Sequence, residues 1–249
     1  MAKKAIGIDI GGTGIKGALV DVKEGKLLSD RIRMETPEGG RPDDMALVVQ
    51  SIVRELRADK DAPVGICFPA VVQHGVAKSA ANVSAEWIDY DADAHFTQAL
   101  GRSVHMLNDA DAAGYAEAKF GAARKQKGLS ILTTLGTGIG TALLYDGVLI
   151  PNSELGHLPL EGSTAEKLAA FSVKERENLD WVQWAERLQK YYALLENLLV
   201  PDLFIVGGGV SKEHELFLPL LNLKTRIVPA ELKNAAGIIG AATLANKHN

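Results

Sequence analysis

The sequence predicts an α/β fold assembled from two related halves. Short apolar strands alternate along the chain with amphipathic helices, an order typical of α/β proteins. A strand, a glycine turn and a second strand occur near the start of the chain, and the same pattern returns near its middle. Apolar residues make up 47% of the 249 residues and charged residues 23%, so the chain can bury a sizeable core.

The first elements are two short strands around a glycine turn. Residues 5–10 and 15–21 flank the turn at 11–14, and residues 27–34 add a third strand, so we expect an antiparallel meander. Residues 42–59 carry apolar side chains at the i, i+3, i+4 spacing of an amphipathic helix. The other predicted elements are a strand at 64–68, a helix near 91–100, a strand at 104–107, a helix at 109–123, strands at 129–135 and 139–145, a helix at 178–199, a strand at 203–206 and helices at 211–221 and 235–247.

An internal repeat organises the chain. Residues 10–21 recur as residues 135–146 when one residue is skipped. This predicts two similar lobes that face each other across a cleft, each with one glycine loop for a shared ligand. We expect the N-terminal lobe to comprise 1–108, with a helix at about 236–249 packing back on it, and the C-terminal lobe 109–235. The alternative is a chance similarity between two common glycine-rich hairpins.

Charge and cysteine content disfavour several classes of protein. With 27 basic and 31 acidic residues the net charge is −4, unlike that of a protein that coats nucleic acid or an anionic membrane. Cys67, the single cysteine, can form neither an internal disulfide nor a cysteine-cluster metal site. Together with the lack of an 18-residue apolar run, this predicts a cytoplasmic protein.

The first glycine turn has the chemistry of a phosphate site. Residues 12–17 match G-x-G-x-x-G, but too few residues follow for the helix that a dinucleotide fingerprint needs, and no P-loop pattern occurs. What remains is a loop of N–H donors beside the Thr13 hydroxyl and the Lys16 cation. A tight hairpin with positive φ would also explain the glycines, but not Asp9, a carboxylate in a buried strand for which Mg²⁺ would be a partner.

Five motifs occur in the order found in the ROK family of sugar kinases and repressors, which the chain resembles over nearly its whole length. They are Asp9-Ile10-Gly11-Gly12-Thr13, Asn108-Asp109, Leu135-Gly136-Thr137-Gly138-Ile139-Gly140, Glu154-Leu155-Gly156-His157 and Gly207-Gly208-Gly209-Val210. Segments 68–72, 80–83, 108–114 and 201–211 most resemble the members that use polyphosphate to phosphorylate glucose or mannose. The resemblance implies a two-lobed, actin-like (ribonuclease-H-like) fold. It also implies phosphoryl transfer to the 6-hydroxyl of a hexose, from polyphosphate or ATP with Mg²⁺.

Through this resemblance Asp109 is the expected base that takes the proton of the sugar hydroxyl. Its place between a strand and a helix also fits a helix N-cap at Asn108 or Asp109. The residues expected to bind the sugar are Asn82, Asn108, Asp109, Glu154, His157 and Glu166. Those expected to bind the phosphate donor are Asp9, Gly11, Gly12, Thr13, Gly14, Lys16, Gly136, Thr137, Gly138, Gly208 and Gly209. Asp9 is also the expected Mg²⁺ ligand, directly or through water, and close packing is the alternative for Gly208 and Gly209.

A long phosphate chain needs further cations. The run at 124–127 is the densest basic segment, although a solvated helix end is the more common explanation for such a run. Lys16 lies beside the first glycine loop and is the stronger candidate. Arg31, Arg33 and Arg41 are candidates to extend the track, and the sequence alone does not place them.

The resemblance also bears on cofactors and partners. Many ROK proteins bind zinc through a cysteine cluster after the Glu-x-Gly-His motif, but residues 158–180 contain no cysteine, so no zinc is expected. Repressor members carry a helix-turn-helix domain before the first loop, whereas Asp9 lies near the N-terminus, so no DNA binding is expected. We expect a cytoplasmic homodimer with no nucleic-acid or membrane partner. The alternatives are an ATP-dependent ROK glucokinase or N-acetylhexosamine kinase, a non-enzymatic sugar sensor and an actin-like ATPase that acts in assembly.

Overall fold

The computed structural model describes residues 3–80 and 83–248. The chain divides into two compact units, one of Met1–Ala116 with Ala235–Asn249 and the other of Glu117–Asn234. The boundary between the units follows residue 116. The sequence predicts a lobe boundary after residue 108, and that division stays a prediction. Across the described ranges, every helix is too short or too polar to span a lipid bilayer.

Seven α-helices and sixteen strands form in the residues that the structure describes. The helices are α1 (Pro42–Glu55), α2 (Ala92–Leu100), α3 (Asp109–Phe120), α4 (Ala165–Ala169), α5 (Phe171–Arg176), α6 (Trp181–Leu199) and α7 (Ala236–His248). The strands are β1 (Lys4–Ile10), β2 (Ile15–Asp21), β3 (Lys26–Leu27), β4 (Ile32–Met34), β5 (Val64–Phe68), β6 (Val72–Gln73), β7 (Val76–Ala77), β8 (Tyr90–Asp91), β9 (Val104–Asn108), β10 (Leu129–Leu135), β11 (Ile139–Tyr145), β12 (Val148–Ile150), β13 (Pro159–Leu160), β14 (Ser163–Thr164), β15 (Leu203–Gly207) and β16 (Arg226–Pro229). Short 3₁₀ helices cover Glu38–Gly40, Ala85–Trp87, Leu155–His157, Gly209–Leu216, Leu218–Leu220 and Lys233–Ala235.

The first unit is built on a six-stranded sheet. Its order is β3-β2-β1-β5-β9, and β4 also pairs with β2. β1 and β2 are antiparallel, as the meander predicts, whereas β1, β5 and β9 are parallel. Helix α7 lies so close to β1 and β5 that a Cβ at Gly7 would fall 2.0 Å from the carbonyl oxygen of Ile238, and one at Gly65 would fall 1.9 Å from that of Ala241. These two glycines therefore allow α7 to reach the sheet.

The second unit is built on a five-stranded sheet of order β12-β11-β10-β15-β16. β10 and β11 are antiparallel, and β10, β15 and β16 are parallel. Helix α6 covers this sheet with fully buried Trp184, Tyr191 and Tyr192. The Tyr192 hydroxyl lies 2.6 Å from the Thr133 hydroxyl on β10, so its polar end is satisfied inside the core.

Two of the predicted elements differ in the structure. The helix predicted at 211–221 is wrong, because the chain there forms the 3₁₀ helices Gly209–Leu216 and Leu218–Leu220. Pro219 lacks the N–H that an α-helix through this segment would use, and its ring would clash with the preceding turn. The strand predicted at 27–34 is split into β3 and β4, and between them the Ser29 hydroxyl takes the place of a backbone acceptor for the N–H of Leu19 at 3.0 Å.

Candidate active site

The first glycine turn, residues 11–14, connects β1 to β2 and is held from outside. The Thr36 hydroxyl donates to the carbonyl oxygen of Gly11 at 2.5 Å, and Nη2 of Arg33 donates to that of Thr13 at 3.1 Å. In the part of the chain that the structure describes, the N–H groups of Gly12 and Thr13 have no hydrogen-bond acceptor. The carbonyl oxygens of Gly11 and Thr13 are therefore occupied while the N–H groups of Gly12 and Thr13 are available, as an anion site requires.

The second glycine turn, residues 136–138, connects β10 to β11 and is held in the same way. The N–H of Ser172, in α5, donates to the carbonyl oxygen of Gly136 at 3.0 Å. The Ser172 hydroxyl donates to the carbonyl oxygen of Thr137 at 2.6 Å. Each unit thus contains one glycine turn whose carbonyl groups are bound by a neighbouring segment.

The glycines of both turns provide space rather than left-handed backbone. No described residue in either turn has a positive φ, so the alternative of a hairpin that needs positive φ is wrong. A Cβ at Gly14 would lie 2.9 Å from Nε of Arg33, and a Cβ at Gly138 would lie 2.6 Å from Oε2 of Glu166. The missing side chains let a charged group approach each turn.

Asp9, on β1, has protein partners on both carboxylate oxygens. Lys16 lies opposite it on β2, with Nζ 3.3 Å from Oδ2, and Sγ of Cys67 on β5 lies 3.6 Å from Oδ1. Lys16 supplies the countercharge for which the sequence analysis invoked Mg²⁺, so the need for a partner does not by itself imply a metal. The side chain of Asp9 remains 24% exposed.

The surroundings of Asp9 fit Mg²⁺ only as part of a complex with phosphate. Among the described residues, no group of three or more His, Cys, Asp and Glu side chains is placed to hold a metal ion. Mg²⁺ commonly binds through one or two carboxylates, with phosphate oxygens and water as the other ligands. One partly exposed carboxylate beside a phosphate-type turn matches that donor set.

Asn108 and Asp109 lie where β9 passes into α3. Oδ1 of Asn108 accepts from the N–H groups of Ala110 at 2.9 Å and Asp111 at 3.1 Å, and its Nδ2 donates to the carbonyl oxygen of Ala70 at 3.1 Å. The N-cap interpretation is therefore confirmed for Asn108, and its sugar-binding role stays a prediction. Oδ1 of Asp109 accepts from the N–H of Ala110 at 2.8 Å.

The parallel strands of the first unit bring Asp9 and Asp109 into one neighbourhood. β1, β5 and β9 run in the same direction, so the residues at their carboxyl ends share one edge of the sheet. Cys67 lies on β5 at this edge. Burial raises the pKa of its thiol well above the ordinary value, and the negative charges of Asp9 and Asp109 raise it further. Asp9, beside the candidate phosphate turn, and Asp109, the candidate base, therefore both influence the thiol of Cys67.

The second unit gathers three predicted sugar ligands. His157 lies between two carboxylates, with Nδ1 3.6 Å from Oε2 of Glu154 and Nε2 3.4 Å from Oε1 of Glu166. Gly156 fixes this turn on β11, because a Cβ there would fall 2.1 Å from the carbonyl oxygen of Ile139. Partial burial raises the pKa of Glu154, opposed by His157 and assisted by Glu166. Two carboxylates and an imidazole can accept and donate hydrogen bonds to vicinal hydroxyls.

The family model described as the ROK family matches residues 5–172 of the chain, which is more than half of its length. The chain belongs to the ROK family. Membership agrees with the glycine turns and the Glu154–His157–Glu166 cluster described above.

Relatives match this ROK chain along nearly its full length. It is 44% identical over 241 residues to the polyphosphate glucokinase of Mycobacterium tuberculosis (strain CDC 1551 / Oshkosh), covering 96% of this chain and 90% of the relative. It is 26% identical over 310 residues to the glucokinase of Thermotoga maritima, covering 97% and 96%. The crystal structure of the inorganic polyphosphate/ATP-glucomannokinase from Arthrobacter sp. strain KM is 50% identical, covers 99% of both chains and superimposes with a TM-score of 0.95. The predicted α/β, actin-like fold is confirmed by this match.

The remaining predicted site residues of the ROK chain have different outcomes. Gly208 has φ of 84°, and a Cβ there would lie 2.3 Å from the carbonyl oxygen of Leu135, so close packing accounts for this glycine. A Cβ at Gly209 would have open space around it. Donor binding by both glycines stays a prediction. Asn82 lies outside the described residues.

The candidates for a polyphosphate track also separate in the structure. Arg41 forms an ion pair with Glu86 at 3.2 Å. The guanidinium of Arg33, from β4, contacts the first glycine turn at the Thr13 carbonyl. Residues 124–127 follow the end of α3, where a solvated helix end accounts for them equally well.

Three residues that hold the turns or Asp9 belong to no motif. Thr36, Cys67 and Ser172 reach their partners across 25, 58 and 35 residues of sequence. Nothing in one sequence marks a threonine or serine that will reach a turn so distant along the chain, so no local signal could have found them.

Proposed function

We propose that this chain is a hexokinase that transfers a phosphoryl group from polyphosphate to the 6-hydroxyl of glucose and of mannose, with ATP as a second donor. The observation that carries the proposal is one edge of the first unit's sheet, which holds a phosphate-type glycine turn, Asp9 and Asp109 together. The substrate class comes from the relatives, a polyphosphate glucokinase at 44% identity and a polyphosphate/ATP-glucomannokinase at 50% identity.

In this proposal the first unit binds the donor end and carries the base. The N–H groups of Gly12 and Thr13 and the Lys16 ammonium bind phosphate oxygens. The turn is already held for this role, because the carbonyl groups of Gly11 and Thr13 are engaged by Thr36 and Arg33. Asp9 holds Mg²⁺, directly or through water. When bound, Mg²⁺ neutralises negative charge on the phosphoryl group being transferred.

Asp109 acts as the general base in this proposal. Its carboxylate starts α3, whose N-terminus favours a negative charge, and it accepts the proton of the 6-hydroxyl. The oxygen of that hydroxyl forms a bond to phosphorus as the bond from phosphorus to the leaving phosphate chain breaks. The products are hexose 6-phosphate and a chain one phosphoryl unit shorter, or ADP when ATP is the donor.

Glu154, His157 and Glu166 bind the sugar hydroxyls, together with Asn108 and Asn82. The arrangement around His157 supports this role, because one ring nitrogen lies 3.6 Å from a Glu154 oxygen and the other 3.4 Å from a Glu166 oxygen, which brings three hydrogen-bonding side chains together. Each carboxylate keeps a second oxygen for a hydroxyl donor. The second glycine turn, with Gly136, Thr137 and Gly138, contributes further donors to phosphate. We also propose that the protein is a cytoplasmic homodimer.

A coupled assay for hexose 6-phosphate tests this function. Purified protein is given Mg²⁺ and either polyphosphate or ATP, with glucose, mannose and N-acetylated hexosamines as separate acceptors. We expect product from glucose and mannose with polyphosphate, and a lower rate with ATP. Product with ATP alone would identify an ATP-dependent kinase instead. Sugar binding without product from either donor would identify a sensor.

A further inference from the structure

β4 brings a second cation to the first glycine turn. In the pairing of β2 with β4, Arg33 lies directly opposite Lys16, so both side chains leave the same face of the sheet. Asp9 lies opposite Lys16 on the other side, which makes a row of Asp9, Lys16 and Arg33 across three neighbouring strands. The two ends of this row carry opposite charges.

The guanidinium of Arg33 is anchored in place although it is exposed. Nη2 donates to the carbonyl oxygen of Thr13 at 3.1 Å. The group also rests on Gly14, where a Cβ would come within 2.9 to 3.0 Å of Nε, Cζ and Nη2. An arginine held by one donor keeps its other N–H groups, in a fixed fork, for another acceptor.

The positive charge of Arg33 is not neutralised by the protein. Of the residues that the structure describes, none places a carboxylate within 4.0 Å of its guanidinium nitrogens, and its recorded partner is a neutral carbonyl group. Lys16 differs, since Asp9 is 3.3 Å away. Arg41, another exposed arginine of this unit, is paired with Glu86. An anchored guanidinium without a countercharge is suited to a bound anion.

We propose that Arg33 binds a phosphoryl unit of a chain-like donor next to the unit held by the turn, and so selects donors of two or more linked phosphates. The proposal rests on the proposed function for the existence of such a donor. Successive phosphoryl units are joined by a single bridging oxygen. When the end unit of the chain binds the Thr13 N–H, the next unit therefore lies beside the Arg33 guanidinium, which is bonded to the Thr13 carbonyl oxygen. A bidentate arginine contact matches two oxygens of that unit.

Three variants distinguish charge from support of the turn. Arg33→Gln removes the charge and keeps an N–H donor at the position of Nε, and Arg33→Lys keeps the charge but loses the fork. Arg54→Gln, at the exposed end of α1 in the same unit, is the matched control for loss of one positive charge. The melting temperature of each variant shows that it is folded.

The measurements are the dissociation constant of tripolyphosphate by calorimetry, and KM and kcat with polyphosphate at saturating glucose. We expect Arg33→Gln to weaken tripolyphosphate binding and raise KM for polyphosphate about tenfold, with kcat within about twofold, since a charge-assisted hydrogen bond is lost. Arg33→Lys retains intermediate affinity, Arg54→Gln matches the wild type, and KM for glucose is unchanged in all three.

Two results would overturn the assignment of Arg33. One is equal tripolyphosphate affinity in Arg33→Gln and Arg54→Gln. The other is a loss confined to kcat and shared by Arg33→Gln and Arg33→Lys, which would make Arg33 a support of the turn only. Failure of the proposed function looks different, because the wild type would then form no hexose 6-phosphate while the calorimetric comparison of the variants would still decide the role of Arg33.

Discussion

The two glycine hairpins share their strand pairing and differ in their charges. β1 with β2 and β10 with β11 each pair through seven residues, with the same alignment up to the turn. One step before the turn, Asp9 faces Lys16 in the first hairpin, whereas Thr134 faces Gly140 at the matching place in the second. The repeated element is therefore the backbone scaffold. The first copy carries an ion pair, Asp9 with Lys16, where the second has Thr134 and Gly140.

The two turns also differ in how their carbonyl groups are held. From outside the first turn, its carbonyl groups are held by two side chains, the Thr36 hydroxyl and the Arg33 guanidinium. The second turn is held by Ser172 through both its backbone N–H and its hydroxyl. The backbone N–H of Ser172 survives any substitution except proline, so we expect the second turn to be the less sensitive to loss of a side chain.

The proposed function places the chemical step in the first unit, and Asp109→Asn is the strongest test of that proposal. We expect kcat to fall about 10³-fold, because an amide cannot accept the hydroxyl proton. Glucose affinity, measured by intrinsic fluorescence, remains near that of the wild type. Turnover within tenfold of the wild type would remove Asp109 from the role of base.

Matched substitutions one step before each turn test the charge difference directly. We expect Asp9→Asn to lower kcat/KM about 100-fold and to raise the Mg²⁺ concentration needed for half-maximal rate, because the ionised ligand and the partner of Lys16 are lost. Thr134→Val, at the equivalent place of the second hairpin, changes kcat/KM by less than about threefold. Equal losses in the two variants would contradict the conclusion that the Asp9–Lys16 pair distinguishes the first hairpin from the second.

The residues that hold the carbonyl groups of the two turns, Thr36 and Ser172, should differ less in their effect on KM for the donor. Thr36→Val removes the hydroxyl that holds the Gly11 carbonyl, and we expect KM for the donor to rise about tenfold. Ser172→Ala leaves its backbone N–H bond to Gly136 intact, so KM for the donor rises about threefold or less. Steady-state kinetics with polyphosphate at saturating glucose measure both. A larger loss in Ser172→Ala would reverse the order of robustness.

The smallest effect concerns pH and lies in the second unit. Burial raises the pKa of Glu154, so this carboxylate takes up a proton at a higher pH than an ordinary glutamate as the solution is acidified. A protonated carboxyl is a weaker acceptor for a sugar hydroxyl, and we expect KM for glucose to rise a few-fold as the pH falls through that pKa. Glu154→Gln should abolish this pH-dependent rise in KM for glucose, whereas His157→Asn should retain a rise of this kind. An unchanged pH profile in Glu154→Gln would exclude Glu154 as its origin.

Local sequence patterns were sufficient for much of the fold. The strands at 129–135 and 139–145 lie where their apolar pattern predicts, and the internal repeat corresponds to two hairpins with matching register. β6, β7 and β8 have only two residues each, too few for any periodicity to appear. The helix predicted at 211–221 is wrong because Pro219 cannot continue an α-helix through this segment.

The site was predictable only where its chemistry lies within motifs. Glu154 and His157 are three residues apart in one turn, so the sequence could place them together. The approach of Glu166 to Gly138, and of Arg33 to Gly14, depends on the pairing or packing of elements that are distant in sequence. Such contacts carry no local signal, which is why the residues that hold the turns emerged only from the structure.

The packing of α7 against Gly7 and Gly65 affects the order in which the two units fold. The first unit takes its sheet from the early part of the chain and its covering helix from a segment that follows the whole second unit. During synthesis the second unit is contiguous and can form as it emerges, whereas the sheet of the first must wait for its last helix. The unit that bears Asp9 and Asp109 is thus completed only after the second unit has been synthesised, when α7 can pack on its sheet.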